Sequence, residues 1–386
     1  MKKIVLILLF VTLLSSCANQ TVGEHEQEID RTEVTTQLAS TSPLPTVTEA
    51  TDTQAQEIEL LRESRFEFDV TAGEYGYLAV GWIEHMNDFL PNRLAFSDRE
   101  LEAAEWIVET LLEMGFDENQ VEMQTFAYDV LTSSWWGDAL WSVEWFKSAG
   151  YYEGLEFLYE SQNVILTIPG RSEQTIIIGA HYDGMANPGI SDNASGTVLL
   201  LENAYRMQYV DHYYTLQYVF FGAEEVGLIG AFYFVDNMSQ EAIDNLILMI
   251  NADVIMDGPD LVYAIGYVEH ASMIISSSDV LQNPLSEQIK ELANQLNDQF
   301  NTELISKPHA ITLPSDHLAF MQFGMPVMVF YATHPVEYPD TFIGDVFHSP
   351  NDCLDFITTY QPGRVERALS EFGRFLEAIV SSEFVE

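Results

Sequence analysis

Downstream of about Leu60 the chain alternates between two hydrophobic rhythms. Residues 101–114, 197–207 and 364–378 place apolar side chains three and four positions apart, the spacing that gathers them on one face of a helix. Residues 164–168, 175–178, 216–221 and 246–250 are short apolar runs of strand character. Helical and strand patterns taken in turn predict an α/β sheet. No period of roughly 20 to 50 residues recurs, which excludes a solenoid. Residues 61–386 therefore read as one large α/β domain.

One stretch, 129–161, interrupts the rhythm and carries Trp135, Trp136, Trp141 and Trp145. It reads either as a lid or substrate wall, or as a satellite hydrophobic cluster that covers the sheet.

The beginning of the chain follows another pattern. Lys2 and Lys3 precede an apolar run over 4–14. A mature spanning helix needs about 20 apolar residues, so this run reads as an export signal. It ends in Leu14-Ser15-Ser16-Cys17, which resembles the lipobox of bacterial lipoproteins, where the cysteine is acylated and becomes the new N-terminus. The expectation is a signal peptide over 1–16, lipidation at Cys17, and a flexible, acidic, Thr-rich tether over 17–60. From Ala18 to Arg65 there is no aromatic residue and Thr, Glu, Gln and Ser dominate, so the segment cannot bury enough apolar area to offset its chain entropy. The α/β domain would then be exported and held at a membrane outside the cytoplasm. Within the tether, His25-Glu26-Gln27-Glu28-Ile29 begins like a His-Glu-x-x-His zinc helix, but Ile29 stands at the second histidine position and the reading is dismissed.

Charge narrows the function. Asp and Glu total 60 against 15 Lys and Arg, a formal net charge of -45. Such a field repels phosphate backbones, and no basic stripe overrides it, which argues against nucleic-acid binding. Two cysteines, Cys17 and Cys353, are too few for a disulfide framework or a cysteine-based zinc site. Any metal ligands must come from His, Asp and Glu.

Those residue types recur at the ends of the predicted strands. After the strand at 175–178 comes Gly179-Ala180-His181-Tyr182-Asp183-Gly184, where open α/β sheets bind ligands. An imidazole there can bind a metal through one ring nitrogen while a carboxylate fixes the other. Ser191-Asp192-Asn193-Ala194-Ser195-Gly196 precedes the helical stretch 197–207 and reads as an N-cap or as a metal loop. Phe220-Phe221-Gly222-Ala223-Glu224-Glu225 puts two carboxylates side by side at a strand end. Their repulsion is relieved if Glu225 binds a cation and Glu224 accepts a proton, the division of labour in metal-assisted hydrolysis. The strand at 246–250 leads to Asn251-Ala252-Asp253, and Phe347-His348-Ser349-Pro350-Asn351-Asp352 adds a loop histidine.

Taken singly, each of these residues is more often a cap or a solvated charge than a ligand. In this order, however, His-x-Asp, Asp-Asn, Glu-Glu, Asp and His resemble metallopeptidase family twenty-eight, the co-catalytic two-zinc aminopeptidases, from about Arg93 to the C-terminus. Gln162-Asn163-Val164, Ser315-Asp316-His317-Leu318-Ala319-Phe320 and Gly324-Met325-Pro326 extend the resemblance. It implies a three-layer α/β/α fold with a mixed, mostly parallel central sheet flanked by helices. It also implies two zinc ions, one on His181 and Asp253, the other on Glu225 and His348, with Asp192 bridging them. Glu224 is the implied general base, and Asp183 is counted with it as catalytic. The implied reaction removes N-terminal residues from peptide substrates through a water activated by both ions. One departure is Phe347, since some relatives carry a tyrosine there whose hydroxyl stabilises the oxyanion.

A carboxypeptidase would want an Arg or Lys near the metals, and none lies in the ligand loops. A glutaminyl cyclase-like acyltransferase shares the scaffold but works with one zinc. A non-catalytic surface binding module would be expected to lack some ligands, and none is missing.

Overall fold

The four apolar runs form adjacent strands of a single eight-stranded sheet. In chain order the strands are β1 (Val121–Ala127), β2 (Glu160–Ile168), β3 (Thr175–His181), β4 (Thr215–Phe221), β5 (Leu246–Ala252), β6 (Asp260–Gly266), β7 (Ile305–Ser306) and β8 (Val327–Thr333). Across the sheet they run β1-β2-β4-β3-β5-β8-β6-β7. The central four, β4, β3, β5 and β8, are parallel. Strands β1, β2 and β6 each pair antiparallel with the neighbour nearer the centre, and β7 runs parallel to β6. The sheet is thus mixed and parallel at its middle, as the family resemblance implied.

This computed structural model describes residues 74–128, 139–267, 280–300, 304–307, 311, 313–321, 324–333 and 346–384, all within the compact unit Glu74–Glu386. The predicted export signal, Cys17, the tether, Trp135 and Trp136 lie outside the described residues. No helix among the described residues is long and apolar enough to cross a membrane.

Alternation along the strands separates two hydrophobic layers, because successive side chains point to opposite faces of a pleated sheet. Ile176, Ile178 and Ala180 of β3, Leu216, Tyr218 and Phe220 of β4, and Leu248, Ile250 and Ala252 of β5 belong to one buried cluster. Helices α1 (Tyr77–Phe89), α2 (Asp98–Glu113), α4 (Ser195–Met207), α7 (Pro284–Phe300) and α10 (Arg364–Ser381) cover that face through Ile83, Ile107, Leu200, Ile289 and Phe372. On the other face, Phe221 of β4 meets Phe234 of α5 (Ile229–Asp236) and Phe320 of α8 (His317–Met321), with ring centroids 6.0 to 6.2 Å apart. Helix, sheet and helix make three layers.

Element boundaries follow local chemistry. The helix expected at 101–114 starts earlier, at Asp98, because the Ser97 side chain accepts the Glu100 N–H and Asp98 favours the positive end of the helix. In α10, Val365, Ala368, Leu369, Phe372, Phe375, Leu376 and Ile379 form one buried stripe at three- and four-residue spacing. Of the Trp-rich stretch, α3 (Ala139–Ser148) buries Val143 and Phe146, and Trp145 packs on Phe146 and Tyr151.

Candidate metal centre

The parallel centre of the sheet brings three strand ends level. His181, the last residue of β3, pairs with Phe221, the last of β4, and β5 lies on the other side of β3. His181 therefore stands between Glu224 and Glu225, just past β4, and Asp253, just past β5. Asp192 comes from the turn Ile190–Ala194 between β3 and α4, and His348 from the loop before α9 (Leu354–Tyr360). Helix α4 approaches β5 so closely that a Cβ on Gly196 would lie 2.4 Å from the Ala252 carbonyl oxygen, so only glycine allows that seat.

Five side chains meet at this edge in two overlapping groups. His181 Nε2 lies 3.1 Å from Asp253 Oδ1 and 3.2 Å from Asp192 Oδ1. His348 Nε2 lies 3.1 Å from both Asp192 Oδ2 and Glu225 Oε2. Asp192 offers one oxygen to each group, and the ligand atoms of each lie within 4.8 Å of one another. A tetrahedral ion with bonds of about 2.0–2.2 Å sets its ligand atoms about 3.3–3.6 Å apart, so these spacings suit such ions. Glu225 Oε1 is buried without a hydrogen-bond partner, which a cation would supply. By donor type and spacing, the residues fit two divalent ions sharing Asp192.

Electrostatics point the same way. Burial works against a charged imidazole, yet Glu224 and Asp253 around His181, and Glu225 and Asp192 around His348, raise both histidines well above their usual range. Burial would raise Asp192, but hydrogen bonds from His181 and His348 overcome it and hold it below the usual carboxylate range. Glu225 is pushed up to about 7, first by burial and then by the charge of Asp192. Carboxylates crowd the centre and favour protons on its imidazoles and on Glu225, and cations can take the place of those protons.

Other buried groups hold the five in place. Asp183, fully buried, accepts the Glu224 N–H at Oδ1 (3.0 Å) and the Glu225 N–H at Oδ2 (3.2 Å), with His181 Nδ1 3.4 Å from Oδ1. It thus fixes the ring and the paired glutamates together. Glu100 accepts the Ala223 N–H (2.8 Å) and the Ser161 hydroxyl (2.8 Å), pinning the turn that precedes Glu224. Asp352 accepts the Ser191 and Asp192 N–H groups at 2.6 and 3.0 Å. Arg93, 1% exposed, donates to the main-chain carbonyls of Leu90, Tyr182, Pro188 and Gly189. Burial lowers its pKa to about 10, which still leaves a full positive charge at neutral pH among Asp352, Asp183, Asp192 and Glu225.

The backbone is strained where it carries these residues. Ala223, Val254 and His348 have φ of 55°, 50° and 51°. Non-glycine residues in this region cost about 1–3 kcal/mol each, and Val254 is β-branched, so the surrounding contacts must over-determine them.

Of the residues singled out in the sequence, His181, Asp183, Asp192, Glu224, Glu225, Asp253 and His348 all converge here, Glu224 alone among the two glutamates being partly exposed. Phe347 stacks on the His348 ring at 3.8 Å and offers no hydroxyl. Asp316 and His317 are fully buried, and both Asp316 oxygens lack hydrogen-bond partners. His317 is held to about 4 by burial and is neutral. Sequence reasoning missed Arg93 and Glu100 as supports. No local pattern marks them, since the backbone they hold at the centre is remote in the chain. Asp352 had one usable signal, its place in the hexapeptide of His348.

Residues 163–373, more than half of the chain, match the family model of peptidase family M28. The chain belongs to peptidase family M28. Aminopeptidase YwaD of Bacillus subtilis is 24% identical to this M28 chain over 184 residues, 47% of the chain and 37% of the relative. The matched stretches span only 20% to 37% of the length of the first three curated relatives. Among solved structures, a zinc aminopeptidase from Bacillus subtilis superposes with a TM-score of 0.59 at 16% identity, covering 81% of the M28 chain and 97% of its own. A glutaminyl cyclase from an Acidobacteriales bacterium gives 0.55 at 19% identity, covering 80% and 94%. At these identities the likeness is one of fold.

Proposed function

We propose that this M28 chain is a two-zinc aminopeptidase that hydrolyses N-terminal residues from peptides. The observation that carries the reading is the pair of three-residue groups, His181, Asp192, Asp253 and Asp192, Glu225, His348, sharing one carboxylate. The first group would hold one ion and the second the other. When bound, the two ions supply Lewis acidity that makes a shared water acidic and polarises the scissile carbonyl.

The chain's own residues do the rest. Glu224, held through its N–H by Asp183 and partly exposed at the mouth, takes the proton from the attacking water. The same carboxylic acid then returns it to the departing amine. Burial and the charges of Glu225, Asp316 and Asp253 raise Glu224 well above the usual carboxylate range, against the pull of His181. Asp183 serves as a positioning residue because it reaches His181 and both glutamates from a fully buried seat.

The preference for a free α-amine rests on charge. A carboxylate-rich mouth attracts an ammonium group. Arg93, buried beside the centre, already donates to four backbone carbonyls, which leaves at most one of its five N–H groups for a substrate carboxylate.

The test is to purify the full chain, determine bound zinc by elemental analysis, and measure release of p-nitroaniline from amino-acid p-nitroanilides. Two zinc ions with release are expected. A chain without metal would sink the site assignment, and one zinc with cyclisation of N-terminal glutamine would make it a glutaminyl cyclase.

Anchoring through Cys17 is part of the proposal and rests on the lipobox-like Leu14-Ser15-Ser16-Cys17. In bacterial cells, Cys17→Ala is expected to shift the protein from the membrane fraction to the soluble fraction. An unchanged distribution would remove the anchor.

A further inference from the structure

Three buried carboxylates outside the two ligand groups form a pattern. Each follows one ligand in the chain and grips the backbone that carries another. Asp183, just after His181, accepts the N–H groups of Glu224 and Glu225. Asp352, just after His348, accepts those of Ser191 and Asp192. Asp257, just after Asp253 and fully buried, accepts those of Val346 and Phe347 at 2.7 and 2.8 Å, both at Oδ1. Val346 and Phe347 are the two residues immediately before His348.

We propose that Asp257 is a positioning residue for His348 and thereby sets the affinity of the Asp192–Glu225–His348 half of the centre for its ion. The inference rests on the two-zinc reading. His348 needs such a brace more than the other ligands do. His181 ends a central strand, and Asp253 donates its N–H to the Phe330 carbonyl of β8 at 3.1 Å. His348 instead sits in a loop, in the left-handed region at φ 51°. A backbone that disfavours its own conformation keeps it only when contacts from outside over-determine it. Two hydrogen bonds from consecutive N–H groups to one oxygen of a fully buried side chain are contacts of that kind, since water does not compete for them. A further bond, from Asn187 Nδ2 to the Ser349 carbonyl at 3.1 Å, holds the far side of the histidine. Loss of Asp257 frees the near side, and His348 Nε2 no longer has a fixed place 3.1 Å from Asp192 and Glu225. The His181–Asp192–Asp253 half keeps its own supports.

The experiment titrates zinc into the metal-stripped full chain in competition with a chromophoric chelator, for wild type, Asp257→Ala and Asp257→Asn, with circular dichroism as a check on folding. Wild type is expected to take two ions. In Asp257→Ala one ion should stay within about threefold of its wild-type affinity while the other weakens about 10–100-fold, the usual consequence of removing a support of a ligand. Asp257→Asn should restore the weaker ion to within a few fold, because both N–H groups fall on one oxygen that the amide carbonyl can replace. An Asp257→Ala chain that binds both ions as wild type does, or loses both alike, overturns the proposal. So does an Asp257→Asn chain as impaired as the alanine variant, for that would make charge and not position the cause. If Asp257→Ala does not fold, Asp257→Ser takes its place with the same expectation. If neither folds, Asp257 serves the fold at large and the proposal falls. A wild type that takes fewer than two ions overturns the two-zinc reading itself, an outcome read before any variant is considered.

Discussion

Replacing Glu224 by glutamine is expected to lower kcat by about 10²–10⁴-fold, the range over which a positioned acid–base group contributes, while zinc content stays at the wild-type level. The two halves of that expectation follow from the geometry of adjacent residues. Glu225 points its Oε2 at His348 Nε2, 3.1 Å away, and belongs to a ligand group. Glu224 belongs to neither group, is partly exposed, and is tied into the site by its backbone, whose N–H donates to Asp183 and whose carbonyl accepts the Gly227 and Leu228 N–H groups. An amide at 224 keeps the backbone bond and the volume but cannot accept a proton. Substrate binding should change little, so the loss should fall in kcat more than in KM. Parallel kinetics on an amino-acid p-nitroanilide and elemental analysis check both halves. A variant with wild-type turnover would remove Glu224 from the chemistry, and one that lost its zinc would make it a ligand instead.

The second large effect concerns pH and zinc together. Without metal, Glu225 has a folded-state pKa of about 7, above its ordinary value near 4.5. A carboxyl group raised by folding contributes stability that is fully present below its unfolded pKa and is lost as pH rises through the folded value. Zinc-free protein should therefore lose stability between about pH 4.5 and pH 7, by about 3 kcal/mol from Glu225 alone. Asp352, raised to about 7 by burial against the pull of the Ser191 N–H, acts in the same direction. Asp192, held low, has its contribution intact throughout that window. Zinc bound to an ionised Glu225 and to neutral imidazoles removes this penalty and releases protons, so the stabilisation by zinc should grow with pH. Urea unfolding from pH 4.5 to 7.5, with zinc and with chelator, measures the difference. If the zinc-free chain held constant or gained stability across that range, the charge crowding inferred for the centre would be wrong.

The candidate ligands were legible because the fold writes them in a regular place. A parallel strand in the middle of a sheet is apolar along its length and stops where the backbone leaves the core. A His or carboxylate at that stop, as in His181, Glu225 and Asp253, therefore stands out against the run before it. The apolar stripes of α4 and α10 were legible for a like reason, since helical periodicity is a property of one segment. The strand order β2-β4-β3-β5 was not, because pairing depends on hydrogen bonds between segments that are distant in sequence.

The sequence by itself thus determined the α/β class and the strand ends, because both depend on local hydrophobic pattern, and the order of its motifs, through the family resemblance, implied the five side chains that meet. Only the tertiary structure decided which oxygen faces which nitrogen, and that Arg93, Glu100, Asp257 and Asp352 brace the loops. Those supports act through carboxylates and a guanidinium on backbone N–H and carbonyl groups that every residue possesses, so nothing in the amino-acid types at the receiving end announces them.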